Sequence, residues 1–290
     1  MDIQVLGALG VREGGVSITP TAPKARQVLA LLALHADQVV PVSALVKELW
    51  AERPPRSART TLQTYVLQLR ELITAALAQN AAGHAAGDAA GEAAGEAAGG
   101  VSAKDVLVTC PGGYRLETRG GSSDVREFER LAGLGYRAMD AGDHPRAARL
   151  LREALGLFSG TPFADVQAGS QLDIESRRLK ESRLCALDQR IEADLRLGRH
   201  RELLAELTVL VSQYATHENL HAQFMLALQR SGRRSEALEV YRRLRTTLVR
   251  ELGIEPSVAL RRLQRSILLA GPEQAAGTPD QAPRLAPAAG

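Results

Sequence analysis

The feature that most limits what this chain can fold into is the disappearance of strand signals at residue 124. Before that point, short strand-like runs and turn dipeptides alternate with amphipathic helices. From Asp124 to Leu269 only helical periodicity remains. At 290 residues the chain is long enough to bury two cores. The expected class is mainly α with small β elements, a mixed N-terminal half followed by an all-α C-terminal half.

Within the first half, Ile3–Leu9 and Val16–Ile18 read as strands around a Gly14-Gly15 turn. A helix is expected from Lys24 to His35, where Val28, Leu29, Leu31, Leu32 and Leu34 recur at helical spacing after Pro23. A second runs from Ser43, read as its N-cap, to Trp50, and Pro54-Pro55 stops the chain. A third and longer helix occupies Ser57 to Leu77. Residues 81–100 are five Ala-Ala-Gly-x tetrads, in which each glycine costs a helix about 1 kcal/mol relative to alanine. With nothing bulky to bury, the segment reads as a flexible low-complexity insertion. Val106–Thr109 and Tyr114–Leu116, around Pro111-Gly112-Gly113, then read as a β-hairpin.

In the second half Gly142, Gly198 and Gly232 each sit in a polar turn between helical stretches, the last two 34 residues apart. That spacing is the period of tetratricopeptide repeats, and Ala147, Leu203 and Ala237 follow each glycine by five residues. Stacked helix pairs of this kind make a protein-binding scaffold. The chain past residue 270 reads as a disordered tail.

Bulk properties narrow the functional classes. Apolar runs such as Val28–Leu34 are too short to span a bilayer, and the N-terminus lacks a basic and apolar leader pattern. Cys110 and Cys185 read as free thiols of a reducing compartment, so the expected location is the cytoplasm, with no membrane partner. The net charge of +3 is only mildly basic, and the excess of arginine over lysine matches GC-rich coding bias.

The third helix carries the sharper signal. Leu62, Val66, Leu69 and Ile73 form one apolar stripe, flanked by Ala58, Tyr65 and Leu72. The other face presents Arg56, Thr60, Gln63, Thr64 and Leu67, with Arg59, Gln68 and Arg70 at its edges and no acidic residue from Arg53 to Arg70. Arginine can pair with guanine, glutamine with adenine, and methyl groups can touch thymine, so this face suits a DNA major groove. The plain alternative is a solvated amphipathic face. Strands, three helices with the last one longest, and then a hairpin is the layout of a winged helix-turn-helix. In it Tyr114 and Arg115 would stand at the base of the wing near phosphates, and Lys24 and Arg26 would add backbone contacts. Trp50 and Tyr65 read as core residues.

The stretches Pro23–Leu32, Leu45–Trp50, Thr61–Val66 with Leu69-Arg70, and Gly113–Leu116 resemble Streptomyces antibiotic regulatory proteins. Downstream, Leu226–Gly232, Glu236-Ala237-Leu238, Tyr241 and Glu251–Pro256 resemble that family's bacterial transcriptional activation domain. The resemblance implies an OmpR-type winged helix over 1–120, with 81–100 as an insertion, and a tetratricopeptide-like activation domain over 121–270. It implies an activator of secondary-metabolite genes that binds promoter direct repeats as a homodimer on double-stranded DNA and contacts RNA polymerase holoenzyme. With the winged helix starting at residue 2 and no Gly-x-x-x-x-Gly-Lys-Ser/Thr element, it implies a small member, without phosphoacceptor or nucleotide-binding domains. Where the family commonly has Ser-Arg-Leu-Arg, this chain has Leu67-Gln68-Leu69-Arg70, which should shift base preference or weaken binding.

One motif argues for an enzyme: His217-Glu218-Asn219-Leu220-His221 fits His-Glu-x-x-His, a zinc-protease pattern. No third ligand follows His221, and Thr216 reads as an N-cap, so the residues are expected to be helix-start polar groups. No nucleophile or carboxylate pair stands out, and neither catalytic residues, a cofactor nor a metal is expected. The rival classes are a protein-interaction scaffold, disfavoured by the arginine-lined third helix, and a repressor, whose DNA contacts would look the same.

Overall fold

The structure, a computed structural model, describes residues 1–87 and 101–269. It divides into two compact units, with the break after Gln189. The first unit opens with an antiparallel sheet of β1 (Asp2–Gln4), β2 (Gly10–Glu13) and β3 (Val16–Ser17), with Ile3 opposite Val11 and Glu13 opposite Val16. The Gly14-Gly15 turn is where the sequence puts it. The first strand is shorter than Ile3–Leu9 because the N–H groups of Val5 and Leu6 leave the ladder and donate to the Asp124 carboxylate, at 2.7 and 2.8 Å.

Helix α1 (Pro23–Leu34) has proline in its first turn, and Val28–Ala33 are all buried, so it forms the centre of the core. A second sheet, absent from the sequence expectation at one of its strands, has the order β4 (Val40–Pro41), β6 (Gly113–Leu116), β5 (Leu107–Cys110). The β4 backbone comes so close to β6 that a Cβ at Gly113 would lie 2.4 Å from the Val40 carbonyl oxygen. Helix α2 (Val42–Trp50) follows β4 directly. Ser43 lies inside its first turn and does not cap it; the Val42 N–H donates instead to the Gly112 carbonyl at 2.9 Å, so the hairpin turn does the work of the cap.

Helix α3 runs from Ala58 to Gly87, ten residues beyond the expected end at Leu77. Its continuation takes in residues 81–87, the start of the tetrad segment expected to be flexible. Alanine propensity favours this. So does a lateral tie just before it, where Asn80 Nδ2 donates to the Glu13 carbonyl at 2.8 Å. The rest of the expected insertion, 88–100, and the expected tail beyond 270 lie outside the described residues. A single helical turn, α4 (Ala103–Val106), leads into β5, with the Asp105 carboxylate accepting from the Ser102 N–H and hydroxyl.

From Asp124 all elements among the described residues are helical, as expected: α5 (Asp124–Asp140), α6 (His144–Gly156), α7 (Ser170–Arg196), α8 (Leu203–Gln213), α9 (Glu218–Arg230), α10 (Arg234–Leu252) and α11 (Val258–Leu269). Gly142, Gly198 and Gly232 adopt left-handed φ values of 74°, 78° and 78° at the expected helix-ending turns. Ala147, Leu203 and Ala237 are buried. Helices α5 and α6 belong to the first compact unit, where Phe128 and Phe158 meet edge to face at 5.0 Å. In the second unit a buried Arg190 pairs with Asp194 at 3.3 Å and with Glu206, while Asp194 also holds Arg199 at 3.0 Å.

The first unit is joined through a buried carboxylate. Glu48 of α2, 2% exposed, accepts N–H bonds from Gly169, Gln171 and Leu172 at the start of α7, at 2.5, 2.8 and 3.2 Å. Gln27 of α1 donates to the same carboxylate at 3.0 Å and to the Glu48 carbonyl at 2.8 Å. Substituting Glu48→Ala leaves three helix-start N–H groups without their acceptor and the Gln27 amide with only the residue-48 main-chain carbonyl. The expected loss of stability is about 3 kcal/mol or more, read by denaturant unfolding of the full chain. An unchanged midpoint would show that water satisfies those groups equally well.

Candidate nucleic-acid interface

The inward stripe of α3 is buried as expected: Leu62, Val66, Leu69 and Ile73 are each 2% exposed or less, with Ala58 and Ala76 beside them. Burial of that stripe on α1 and α2 fixes the rotation of the helix, and with it which residues face out. Arg59, Thr60, Gln63, Thr64, Leu67 and Gln68 are all exposed, and Arg56 is exposed in the turn just ahead of the helix. Leu67 is 57% exposed, an aliphatic group at the middle of a polar face. Thr64 turns its hydroxyl to the Thr60 carbonyl at 3.2 Å, which leaves its methyl pointing away from that bond.

Five of the residues named from the sequence are engaged elsewhere. Arg70 is half-buried: its Nε and Nη2 donate to the Leu107 carbonyl at 3.1 and 2.7 Å, and Nη2 also reaches Thr109 Oγ1 at 2.8 Å. It fastens α3 to β5, the first strand of the hairpin. Lys24 Nζ donates to the Leu49 carbonyl at 2.7 Å and to Gln27 Oε1 at 3.2 Å. Arg26 binds the Pro20 and Leu9 carbonyls and pairs with Asp165. Tyr114 is buried in the core at 8% exposure, and Arg115 is half-buried and paired with Glu117 at 2.5 Å. The sequence puts Arg70 at the edge of the groove-facing surface and the other four near phosphates; the structure corrects this, giving these side chains intramolecular partners or burial instead. The charged ends of Lys24, Arg26, Arg70 and Arg115 lie against the protein's own carbonyls or carboxylates, and Tyr114 is buried.

The wing is held at three places. Arg70 holds β5, β4 pairs with β6 through Val40 opposite Tyr114, and Asp37 holds the chain just after β6. The Asp37 carboxylate accepts from the Thr118 N–H, the Thr118 hydroxyl and Arg126 Nη1, each at 2.7 Å. Burial pushes the Asp37 carboxyl up, but the bonds from Thr118 and Arg126 outweigh it and hold the group below its ordinary range. The wing is thereby set at a fixed angle to α3.

Sequence reasoning missed a cleft of about 330 Å³ lined by Val42, Ser43, Arg59, Leu62, Gln63, Gly112 and Tyr114. It brings the start of α2 and the wing turn to the exposed side of α3, and it adds Ser43 and the Gly112 backbone to the candidate contact surface. The signal was available in the Pro111-Gly112-Gly113 turn, but only the β4–β6 pairing shows that the turn lies against α2.

The histidine pair has other occupations. His217, and not Thr216, caps α9, with Nδ1 accepting from the Leu220 N–H at 3.3 Å. His221 is buried, its Nδ1 3.0 Å from the His217 carbonyl oxygen, and burial holds its pKa below the ordinary histidine value. The Glu218 carboxylate accepts from the Ser257 N–H at 2.7 Å, just ahead of α11. Among the described residues no group of three or more histidine, cysteine or acidic side chains could hold a metal ion, and no helix is long and apolar enough to cross a membrane.

Comparison with known proteins agrees with this architecture. Residues 123–268 match the family of the bacterial transcriptional activator domain, and residues 17–82 match the family of the C-terminal part of transcriptional regulatory proteins. Regulatory protein DnrI of Streptomyces peucetius is 50% identical over 272 residues, which cover 94% of this chain and 93% of that protein. Regulatory protein AfsR of Streptomyces griseus is 32% identical, over 96% of this chain but 26% of its own length. The solved structure of Mycobacterium tuberculosis EmbR in complex with a low-affinity phosphopeptide superposes with a TM-score of 0.78 at 32% identity. That match covers 92% of this chain and 64% of the EmbR chain. These families and relatives are regulators of transcription, not enzymes.

Two outcomes are expected. Arg70→Ala should weaken DNA binding by about tenfold through a loosened wing, while the preferred sequence stays the same and amides of β5 exchange faster. A changed base preference would return Arg70 to the reading face. In His221→Gln the stability profile should be flatter below pH 6.5. His221 has a depressed folded pKa, so in the parent the unfolded state binds the proton first, and stability falls as pH drops from about 6.5 towards the folded value. Unfolding midpoints across that window test it, and parallel profiles would mean that other groups set the slope.

Proposed function

Because this chain is a member of the Streptomyces antibiotic regulatory protein family of transcriptional regulators, we propose that it is a sequence-specific activator at the promoters of a secondary-metabolite gene cluster. The observation that carries the reading is the outward face of α3, where Thr60, Gln63, Thr64, Leu67 and Gln68 stand exposed with no carboxylate between Arg56 and Arg70. Set into a major groove, Gln63 would pair with adenine and Leu67 would meet a thymine methyl. Arg56 and Arg59, at the start of the helix, would take a guanine or a phosphate. The wing turn would lie along the sugar-phosphate backbone, and its main-chain N–H groups would position the protein without reading sequence.

In this reading residues 1–120 are the winged-helix domain and 121–270 the activation domain, acting in the cytoplasm. Two copies bind direct repeats as a dimer on DNA. Repeats about 10–11 base pairs apart would place both copies on one face of the duplex. The helical domain would then contact RNA polymerase holoenzyme and hold it at a weak promoter. What supports this is the match of residues 123–268 to the activator-domain family together with the helix-pair architecture, a scaffold form suited to protein partners.

Selection of bound duplexes from a random pool by the purified full chain tests the reading. The expected product is a tandem repeat spaced near one helical turn, and Gln63→Ala should cost about 1–3 kcal/mol at a single base position. Failure to enrich any sequence at low salt, with folded protein, would refute sequence-specific binding.

A further inference from the structure

Helix α11 turns three arginines outward with no acidic residue anywhere on the helix. Leu260 and Ile267 are buried beneath it, and Leu263 and Gln264 are half-buried, whereas Arg261, Arg262 and Arg265 are exposed. Arg265 is one turn from both Arg261 and Arg262, and Val258 is one turn from Arg262, so these side chains share one surface. Val258 is 54% exposed and Leu268 49%, which adds bulky aliphatic groups to that surface.

Most other arginines of the second unit are paired with carboxylates, and Arg230 and Arg234 donate to the Leu195 and Leu268 carbonyls. On α10, Arg242 and Arg243 pair with Glu239, Arg250 with Glu251, and Arg245 with Glu255. Arg233 pairs with Glu236, and Arg196 with Glu192. Arg261 lies near enough to Glu255 to help hold that carboxyl down, after the larger effect of Arg245. Arg262 and Arg265 form no ion pair among the described residues. Like charges one turn apart destabilise a helix by a few tenths of a kcal/mol.

We propose that the Arg261–Arg262–Arg265 face of α11 is a docking surface for an acidic, amphipathic segment of a partner protein. Its carboxylates would meet the guanidinium groups, and its aliphatic side chains would cover Val258 and Leu268. Arginine is the charged residue enriched at protein interfaces, and their buried centres are apolar. A surface that tracked DNA phosphates would gain from the cations but not from Val258 and Leu268. The proposal concerns the second compact unit and does not depend on how α3 reads DNA.

The test uses the full chain and a fluorescein-labelled helical peptide that presents glutamate and leucine on one face. Controls are the same peptide with glutamine for glutamate, and a short non-specific DNA duplex. The expected result is salt-sensitive binding of the glutamate peptide and markedly weaker binding of the glutamine peptide. Arg262→Glu combined with Arg265→Glu should lose about tenfold in affinity with the melting temperature unchanged. Arg262→Gln with Arg265→Gln provides the same test without charge reversal, should the first pair fail to fold. Equal affinity for both peptides, no binding of either, or variants that bind the glutamate peptide as the parent does would each overturn the proposal. A loss seen on the non-specific duplex and not on the peptide would reassign the face to DNA.

Discussion

A carboxylate taken out of water must be matched bond for bond, and Glu48 meets that condition with groups from two other parts of the chain. Its own helix α2 carries it, α1 supplies the Gln27 amide, and the start of α7 supplies three backbone N–H groups. A buried ion of this kind adds little net stability compared with a well-packed apolar pair, but it tolerates few alternative arrangements. The bonds therefore fix where α7 begins against the helices of the winged fold. They also draw in Lys24, whose ammonium lies between Gln27 Oε1 and the Leu49 carbonyl. The same economy recurs at Asp124, whose carboxylate takes the N–H groups of Val5 and Leu6 where the first sheet gives them up. There burial pushes the carboxyl up by more than the backbone bonds pull it down.

These demands explain why the reading surface is narrower than its cationic content suggests. A guanidinium presents five donors in a rigid fork, and near a sheet end or a turn the carbonyls of the fold compete for it. Arg70 and Arg26 have been taken in this way, one by the wing and one by the turns around Pro20 and Leu9. What remains outward on α3 is mostly uncharged. An uncharged centre with arginines only at its leading end separates the two tasks of a DNA reader. In the proposed reading, base edges would be met by amide, hydroxyl and aliphatic groups, while positioning would fall to the arginines and the wing.

The order and type of the elements were legible in the sequence because each rests on local periodicity: the stripe on α3, the buried run of α1 and the three turn glycines at 142, 198 and 232. The exposed half of the site was legible for the same reason, since the position of the stripe determines its opposite face. What was not legible depends on partners far away in the chain. Nothing near Arg70 indicates that the Leu107 carbonyl lies within reach, 37 residues on. Nothing near Pro41 marks a two-residue strand, because β4 exists only through its pairing with β6. The Ser43 expectation failed in the same way. A serine near a helix start is a fair cap, but β4 runs straight into the helix, so Ser43 falls inside the first turn and the Gly112 carbonyl accepts from the leading Val42 N–H.

Compactness and family assignment divide the chain at different places, and the difference has a physical origin. The activator-domain match begins at residue 123, whereas the compact break falls after Gln189. Between those points lie α5, α6 and most of α7, which share a core with the winged helix through Phe128, Leu151 and Leu172. Asp124, Asp165 and the N–H groups accepted by Glu48 all belong to this stretch. A segment that supplies acceptors to β1 and Leu9, and donors to α2, cannot be a separate bead on a linker. The winged fold is complete only with these helices in place, because they satisfy backbone groups that its small sheets leave open. A family boundary drawn from sequence similarity thus crosses a single hydrogen-bonded core, and the unit that would meet DNA already contains the first helices of the activator domain.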